Sequence, residues 1–280
     1  MKYFFKNLLL FLFLFLLIGC SGKKEKEVVV ESIDLENQMI EAYNAGVKAL
    51  EEGDVLFAAK NFNTVESIYP QSIWAPRSIL MAAYSYYSQD YYGDAISELR
   101  RFIRNYPTSE NLSYAYFLLA TCYYETIVDE KKDLSPLINS KKYFEIVIKE
   151  YPNTDFALDS KFKVGLIDNI LASKEVYIGN YYIKKRKWIP ALNRFKNVLD
   201  LYDSTEYVEE AMHRLVEINY TLGLEEEAKK YAVLLGYNYQ SSKWYKESYR
   251  VFNKKYVSPK EKIKKDKQNI IIRKIKDLFK

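Results

Sequence analysis

From Asp34 onward, apolar residues recur at spacings of three and four with almost no alternating stretches, so the chain reads as successive amphipathic helices. The helices end alike. Ile68-Tyr69-Pro70, Asn105-Tyr106-Pro107 and Glu150-Tyr151-Pro152 are followed by Leu201-Tyr202-Asp203, which lacks the proline, and these ends lie 37, 45 and 51 residues apart. Proline stops a helix because it has no N–H to donate and biases the residue before it away from α geometry.

The spacing resembles that of a 34-residue tetratricopeptide repeat with insertions. Small residues then fall where two helices cross closely: Gly46 with Ala58, Ala83 with Ala95, and Gly179 with Ala191. Large ones lie between the crossings, at Phe62, Leu99, Phe144 and Phe195. A fifth unit spans residues 209–240 and departs from the pattern at Val216. The third carries an insertion over residues 129–139, with Pro136 between its helices, and residues 154–172 read as extra helix. The expected fold is all-α, a tetratricopeptide superhelix of about five hairpins, with residues 34–152 as one lobe (repeats 1–3) and 153–253 as a second (repeats 4 and 5). Stacked hairpins share a continuous core and leave a concave groove, which predicts a protein that binds extended or helical peptide.

The N-terminus sets the compartment. Lys2 and Lys6 precede an apolar run over residues 8–18, too short for a permanent span, which needs about 20 residues. Residues 1–19 read as a signal peptide. Leu17-Ile18-Gly19-Cys20 resembles a bacterial lipobox, so Cys20 is the expected site of N-acyl and S-diacylglyceryl lipidation. Several chains on one residue anchor firmly, since each buried methylene contributes about 0.8 kcal/mol. Residues 20–33 are charged and poor in aromatics, as a tether would be. Ser21 after the cysteine favours the outer membrane by resemblance to lipoprotein sorting rules. With Cys20 acylated, only Cys122 remains, a small core residue among Leu118, Leu119, Tyr123 and Tyr124.

Residues 254–280 hold eleven Lys or Arg against three acids, net +8, which leaves the rest of the mature chain at −5 once Lys2 and Lys6 depart with the leader. An exported lipoprotein does not meet nucleic acid, so a membrane surface or an acidic partner is the expected target. Ile263, Ile270-Ile271-Ile272, Ile275, Leu278 and Phe279 make residues 261–280 amphipathic, consistent with docking and equally with a solubilising tail.

Catalysis lacks parts. His213 is the only histidine and is expected to be partly exposed; the nine glycines are scattered singly, with no phosphate-binding loop or nucleophile elbow. No metal site, cofactor or enzymatic activity is expected, and Glu225-Glu226-Glu227 with Lys229-Lys230 reads as a solvated face.

A more specific signal lies at Leu171-Ala172-Ser173-Lys174-Glu175, Gly179-Asn180-Tyr181-Tyr182, Trp188 and Ala191-Leu192-Asn193-Arg194-Phe195, followed by Tyr220, Leu222-Gly223-Leu224 and Glu227-Ala228. In order and spacing these resemble the BamD (YfiO/ComL-like) family of lipoproteins. The resemblance extends to Cys20-Ser21-Gly22, Arg101-Phe102-Ile103-Arg104 and residues 140–152. It implies a scaffold at the periplasmic face of the outer membrane, held there by its lipid. The implied partners are the periplasmic domains of the barrel-forming assembly subunit (BamA-like), unfolded β-barrel precursors and accessory lipoproteins. It also implies precursor binding at Tyr69 and communication with the barrel subunit at Arg194. Each residue has a plain structural reading beside that one: Tyr69 as a hairpin cap, Arg194 as an intrachain partner of Glu175. A periplasmic repeat adaptor in envelope constriction or peptidoglycan synthesis is the alternative function.

Overall fold

A computed structural model describes residues 25–126, 133–253 and 268. The described residues contain eleven helices and no strand: α1 (Glu25–Glu51), α2 (Val55–Ile68), α3 (Trp74–Tyr87), α4 (Tyr92–Asn105), α5 (Leu112–Glu125), α6 (Ser135–Glu150), α7 (Asp155–Lys184), α8 (Trp188–Leu201), α9 (Val208–Thr221), α10 (Glu225–Asn238) and α11 (Lys243–Phe252). The signal peptide, Cys20 and the basic tail lie outside the described residues, Gln268 apart. The chain forms two compact units that divide between Thr126 and Ile127. That division falls inside the third repeat, between α5 and α6, whereas the lobe boundary read from the sequence is at 152/153.

One turn design closes four hairpins. The chain turns through a left-handed residue at Gly53 (φ 83°), Asp90 (63°), Arg186 (54°) and Gly223 (79°). The next residue's N–H then reaches back five positions, from Asp54 to Ala49, Tyr91 to Tyr86, Lys187 to Tyr182 and Leu224 to Asn219, at 2.9–3.0 Å. That bond satisfies a carbonyl left open at the helix end. Glycine meets the left-handed requirement without a Cβ penalty at two of the turns; Asp90 and Arg186 adopt it with one.

The opposite ends of the hairpins are equally regular. Tyr69, Tyr106, Tyr151, Tyr202 and Tyr239 each donate their N–H to the carbonyl four residues back, and each carbonyl accepts from the Ser or Thr three residues on: Ser72, Ser109, Thr154, Thr205 and Ser242. The repeating end is therefore Tyr-x-x-Ser/Thr. The fifth instance, Tyr239-Gln240-Ser241-Ser242, closes the unit read as ending at residue 240 and has no proline. Asp203 replaces proline without loss of the turn because the bonds that build it belong to its neighbours.

The crossings pair small with large as expected. A Cβ on Gly46 would lie 2.8 Å from the Phe62 ring, and one on Gly179 would lie 2.6 Å from that of Phe195. Ala83 and Ala95 are fully buried, as are Phe62, Leu99, Phe144 and Phe195. Val216, the exception, is also fully buried, so the fifth crossing accepts a branched side chain.

Three expectations change. α1 begins at Glu25, inside the segment read as a tether. Pro136 sits in the first turn of α6, where its missing N–H costs nothing, so residues 135–139 are helix and not insertion. The extra helix read over residues 154–172 is present and runs on into the fourth repeat as the 30-residue α7, so that expectation stands. His213 is buried, only 4% exposed, because α11 covers it. Its Nδ1 lies 2.9 Å from Ser248 Oγ and its ring packs on Trp244. Cys122 is a core residue, as read, and burial pushes its thiol up to about 12.

Candidate interaction surfaces

The five hairpin-end tyrosines share backbone geometry but not surroundings. Tyr106 leans on the hairpin before it: its hydroxyl lies 3.4 Å from Glu66 Oε1 and 3.3 Å from the Pro70 carbonyl, and its ring packs 5.7 Å from Phe102. Burial, with the Glu66 charge beside it, holds the Tyr106 hydroxyl above its usual pKa. Tyr202 is half-buried beneath the Lys141 ammonium, 5.4 Å from its ring centre, and Tyr239 packs on the core of the second unit. Tyr69 is different: its side chain is 45% exposed. Among the described residues no earlier hairpin stands to Tyr69 as Glu66 and Pro70 stand to Tyr106. Ile73, four residues on, is 75% exposed, so the α2–α3 turn offers adjoining aromatic and aliphatic surface.

Aromatic residues at the next hairpin divide between core and surface. Tyr86 joins the core of the first unit and Tyr87 packs on Tyr92. The Tyr92 hydroxyl donates to Asp90 at 2.6 Å, and this hydrogen bond is the main reason its pKa rises to about 12. Tyr84 and Tyr91 remain exposed. Tyrosine in such positions contributes apolar contact area with a hydroxyl still available.

Arg194, on α8, pairs with Glu175 of α7. Nη1 is 3.0 Å from Oε1 and 3.4 Å from Oε2, and Asn197 Nδ2 donates to Oε2 at 3.1 Å. The intrachain pairing read from the sequence is thus present. It does not enclose the arginine, whose side chain is 38% exposed while that of Glu175 is 15% exposed. A guanidinium has five donors in a planar fork, and the bonds to Glu175 come from Nη1. In the first unit Arg101, 31% exposed, differs in how many partners hold it. It bonds Glu66 at 2.7 Å and Asn63 Oδ1 at 2.6 Å, and also pairs with Glu98, stitching α2 to α4.

The second unit exposes apolar side chains along α7, at Leu158, Phe162, Tyr177 and Tyr181. Its acidic run behaves as read: Glu226 and Glu227 pair with Lys229 and Lys230 on a solvated face. Among the described residues there is no group of three or more His, Cys, Asp or Glu side chains placed to hold a metal. No helix among them is long and apolar enough to cross a membrane.

Comparison with known proteins adds a family. A model of outer membrane lipoproteins, YfiO, matches residues 35–234. The outer membrane protein assembly factor BamD of Rickettsia prowazekii is 40% identical, over 83% of this chain and 90% of its own. That of Caulobacter vibrioides is 37% identical, over 86% of this chain and 78% of its own. Among solved structures, a thermophilic TPR protein of Thermus thermophilus is 15% identical with a TM-score of 0.36, covering 76% of this chain and 98% of that one.

Proposed function

The chain belongs to the YfiO family of outer membrane lipoproteins, and on that premise we propose how it serves in outer-membrane protein assembly. It is a tetratricopeptide-type assembly factor associated with the outer membrane. In our reading it is a non-enzymatic scaffold of the β-barrel assembly complex, without a cofactor, tethered through acyl chains on Cys20 to the periplasmic face. It orients the periplasmic domains of the barrel-forming subunit and receives unfolded barrel precursors, working by differential binding without bond chemistry.

The observation that carries the residue assignments is the asymmetry among equivalent positions. A tyrosine that only ends a hairpin is covered, as Tyr106 is; Tyr69 is open and adjoins Ile73, which suits an extended precursor segment with aromatic or aliphatic side chains. Arg194 keeps an exposed edge while Glu175 fixes its position, which suits a carboxylate on the barrel subunit.

Co-purification tests this. The membrane-extracted protein, tagged after Lys280, is expected to bring down a large outer-membrane barrel protein with repeated periplasmic domains, and Arg194→Leu is expected to reduce that recovery about tenfold. Recovery of envelope-constriction or peptidoglycan proteins in its place would overturn the proposal.

A further inference from the structure

The turn between α7 and α8 is built against local preference. Its left-handed position, held elsewhere by Gly53, Gly223 and the short-chained Asp90, is held here by Arg186 at φ 54°. Glycine, and occasionally Asn or Asp, visits that region routinely; arginine does not. The next residue, Lys187, is the N-cap of α8, and its side chain makes no capping bond. The corresponding Asp54 caps α2 by accepting from the Phe57 N–H at 3.0 Å. A cation at a helix N-terminus is also opposed by the helix dipole. Arg186 and Lys187 thus bring charge to two positions where the Gly-Asp pair of the first hairpin would be more stable. Proteins break local rules in this way chiefly at functional sites.

The two residues are part of a larger patch. Lys184, Lys185, Arg186 and Lys187 are consecutive and all exposed. Lys185 lies 5.9 Å from the centre of the Tyr181 ring, and among the described residues none of the four cations is in an ion pair. Lys229 and Lys230 of α10, by contrast, each have a glutamate partner. The dipole of α7 favours cations at its own end, at Lys184 and Lys185, but gives no reason for Arg186 or Lys187. Apolar surface flanks the charges on both sides: Tyr181 is 52% exposed on α7 and Ile189 is 61% exposed on α8. Tyr182, Ile183 and Trp188 pack on the core of the second unit and hold the turn in place.

Unpaired cations between an aromatic and an aliphatic side chain suit the headgroup layer of a membrane. Lysine and arginine stems lie along apolar surface while their charges reach phosphate, and tyrosine settles at headgroup level. An extended peptide needs a groove or a sheet edge; a flat bilayer needs only an exposed hairpin end. The family to which the chain belongs is one of outer membrane lipoproteins, so a bilayer is close at hand.

We infer that residues 184–189, the α7–α8 turn, dock on the phosphate headgroups of an anionic phospholipid bilayer and give the second unit its own hold on the membrane. This hold adds to the acyl chains proposed on Cys20 and rests on the same placement at the outer membrane. Each cation near an anionic surface favours the bound state about fivefold.

The full mature lipoprotein, with the photo-crosslinking residue p-benzoylphenylalanine at position 189, tests this. It is reconstituted in vesicles of phosphatidylcholine alone, or of phosphatidylcholine with about one part in three phosphatidylglycerol. Illumination is expected to give phospholipid adducts at least about tenfold more abundant on the anionic vesicles, a difference that about 1 M salt removes. Arg186→Gly with Lys187→Ser should lower the adduct about 25-fold, two cations at about fivefold each. The same variant should raise the Tm by about 2–4 °C, because both substitutions restore local preference. Retention on either vesicle reports the anchor and the adduct reports the turn, so the two readings fail separately. Equal adducts on the two vesicles would overturn the proposal, as would adducts to a second copy or, in the native envelope, to another protein in place of phospholipid. So would a variant that loses no adduct or gains no stability.

Discussion

Tyr69 and Tyr106 end successive hairpins with the same backbone bonds, yet one ring is open and the other is held against Glu66 and Pro70. Arg101 and Arg194 differ in partners more than in exposure: Arg101, 31% exposed, is engaged by Glu66, Glu98 and Asn63 and joins two hairpins, whereas Arg194, 38% exposed, leans on Glu175 within a single hairpin. The lesson is that in a repeat protein a motif does not fix a residue's role. A side chain that has a neighbouring hairpin to rest on is held in place; one without it keeps exposed surface.

The comparison requires the hairpins themselves to be equally well closed. Phe62→Ala and Phe195→Ala each remove a fully buried ring at a glycine crossing, so each is expected to lower stability by about 3–5 kcal/mol in thermal or urea unfolding. A much smaller loss for Phe62→Ala would break the comparison, because the exposure of Tyr69 would then reflect a loose first hairpin. The arginines sharpen it next. Arg101→Leu strands two shielded carboxylates and should cost about 1.5–3 kcal/mol, while Arg194→Leu, losing one half-exposed pair, should cost under about 1 kcal/mol and yet weaken partner recovery.

The tyrosines themselves should differ less. Tyr106→Ala is expected to destabilise by about 1–2 kcal/mol through its half-buried ring, and Tyr69→Ala to stay within about 0.5 kcal/mol while reducing crosslinking to barrel precursors. Equal losses of stability would make Tyr69 another hairpin cap.

The smallest expected effect is a pH dependence confined to the second unit. Burial pushes the Glu217 pKa up, but hydrogen bonds from His213 and Arg214 outweigh it and hold the carboxyl at about 2, below its usual 4.5. Because the unfolded chain protonates first on acidification, this contribution is complete above about pH 4.5 and is lost as pH falls towards 2. Glu217→Gln should flatten the acid limb of the stability profile over that window. An unchanged limb would show that the contacts of Glu217 with His213 and Arg214 on α9 do not contribute to acid stability.

Much of the fold was legible because helix-hairpin chemistry is local. Spacing located Gly46, Phe62, Gly179 and Phe195, and the structure brings each glycine to its phenylalanine. Proline was a less faithful marker than the bonds it accompanies: the fifth unit, read as ending at residue 240, has no proline there, yet Tyr239 and Ser242 close it as Tyr-x-x-Ser/Thr closes the others. The reading of His213 as partly exposed failed because its cover, Ser248 and its neighbours on α11, comes from 35 residues downstream, where helical periodicity says nothing about what packs on what.

The sequence by itself determined the helices, their closing turns, the small and large residues of each crossing and the family, because each rests on nearest-neighbour backbone and packing rules. Only the tertiary structure decided which equivalent side chains are enclosed and which are open. It separated Tyr106 from Tyr69 by exposure and Arg101 from Arg194 by the number of partners that hold them. Exposure depends on the neighbour a surface finds in space, and identical motifs carry no record of whether that neighbour exists.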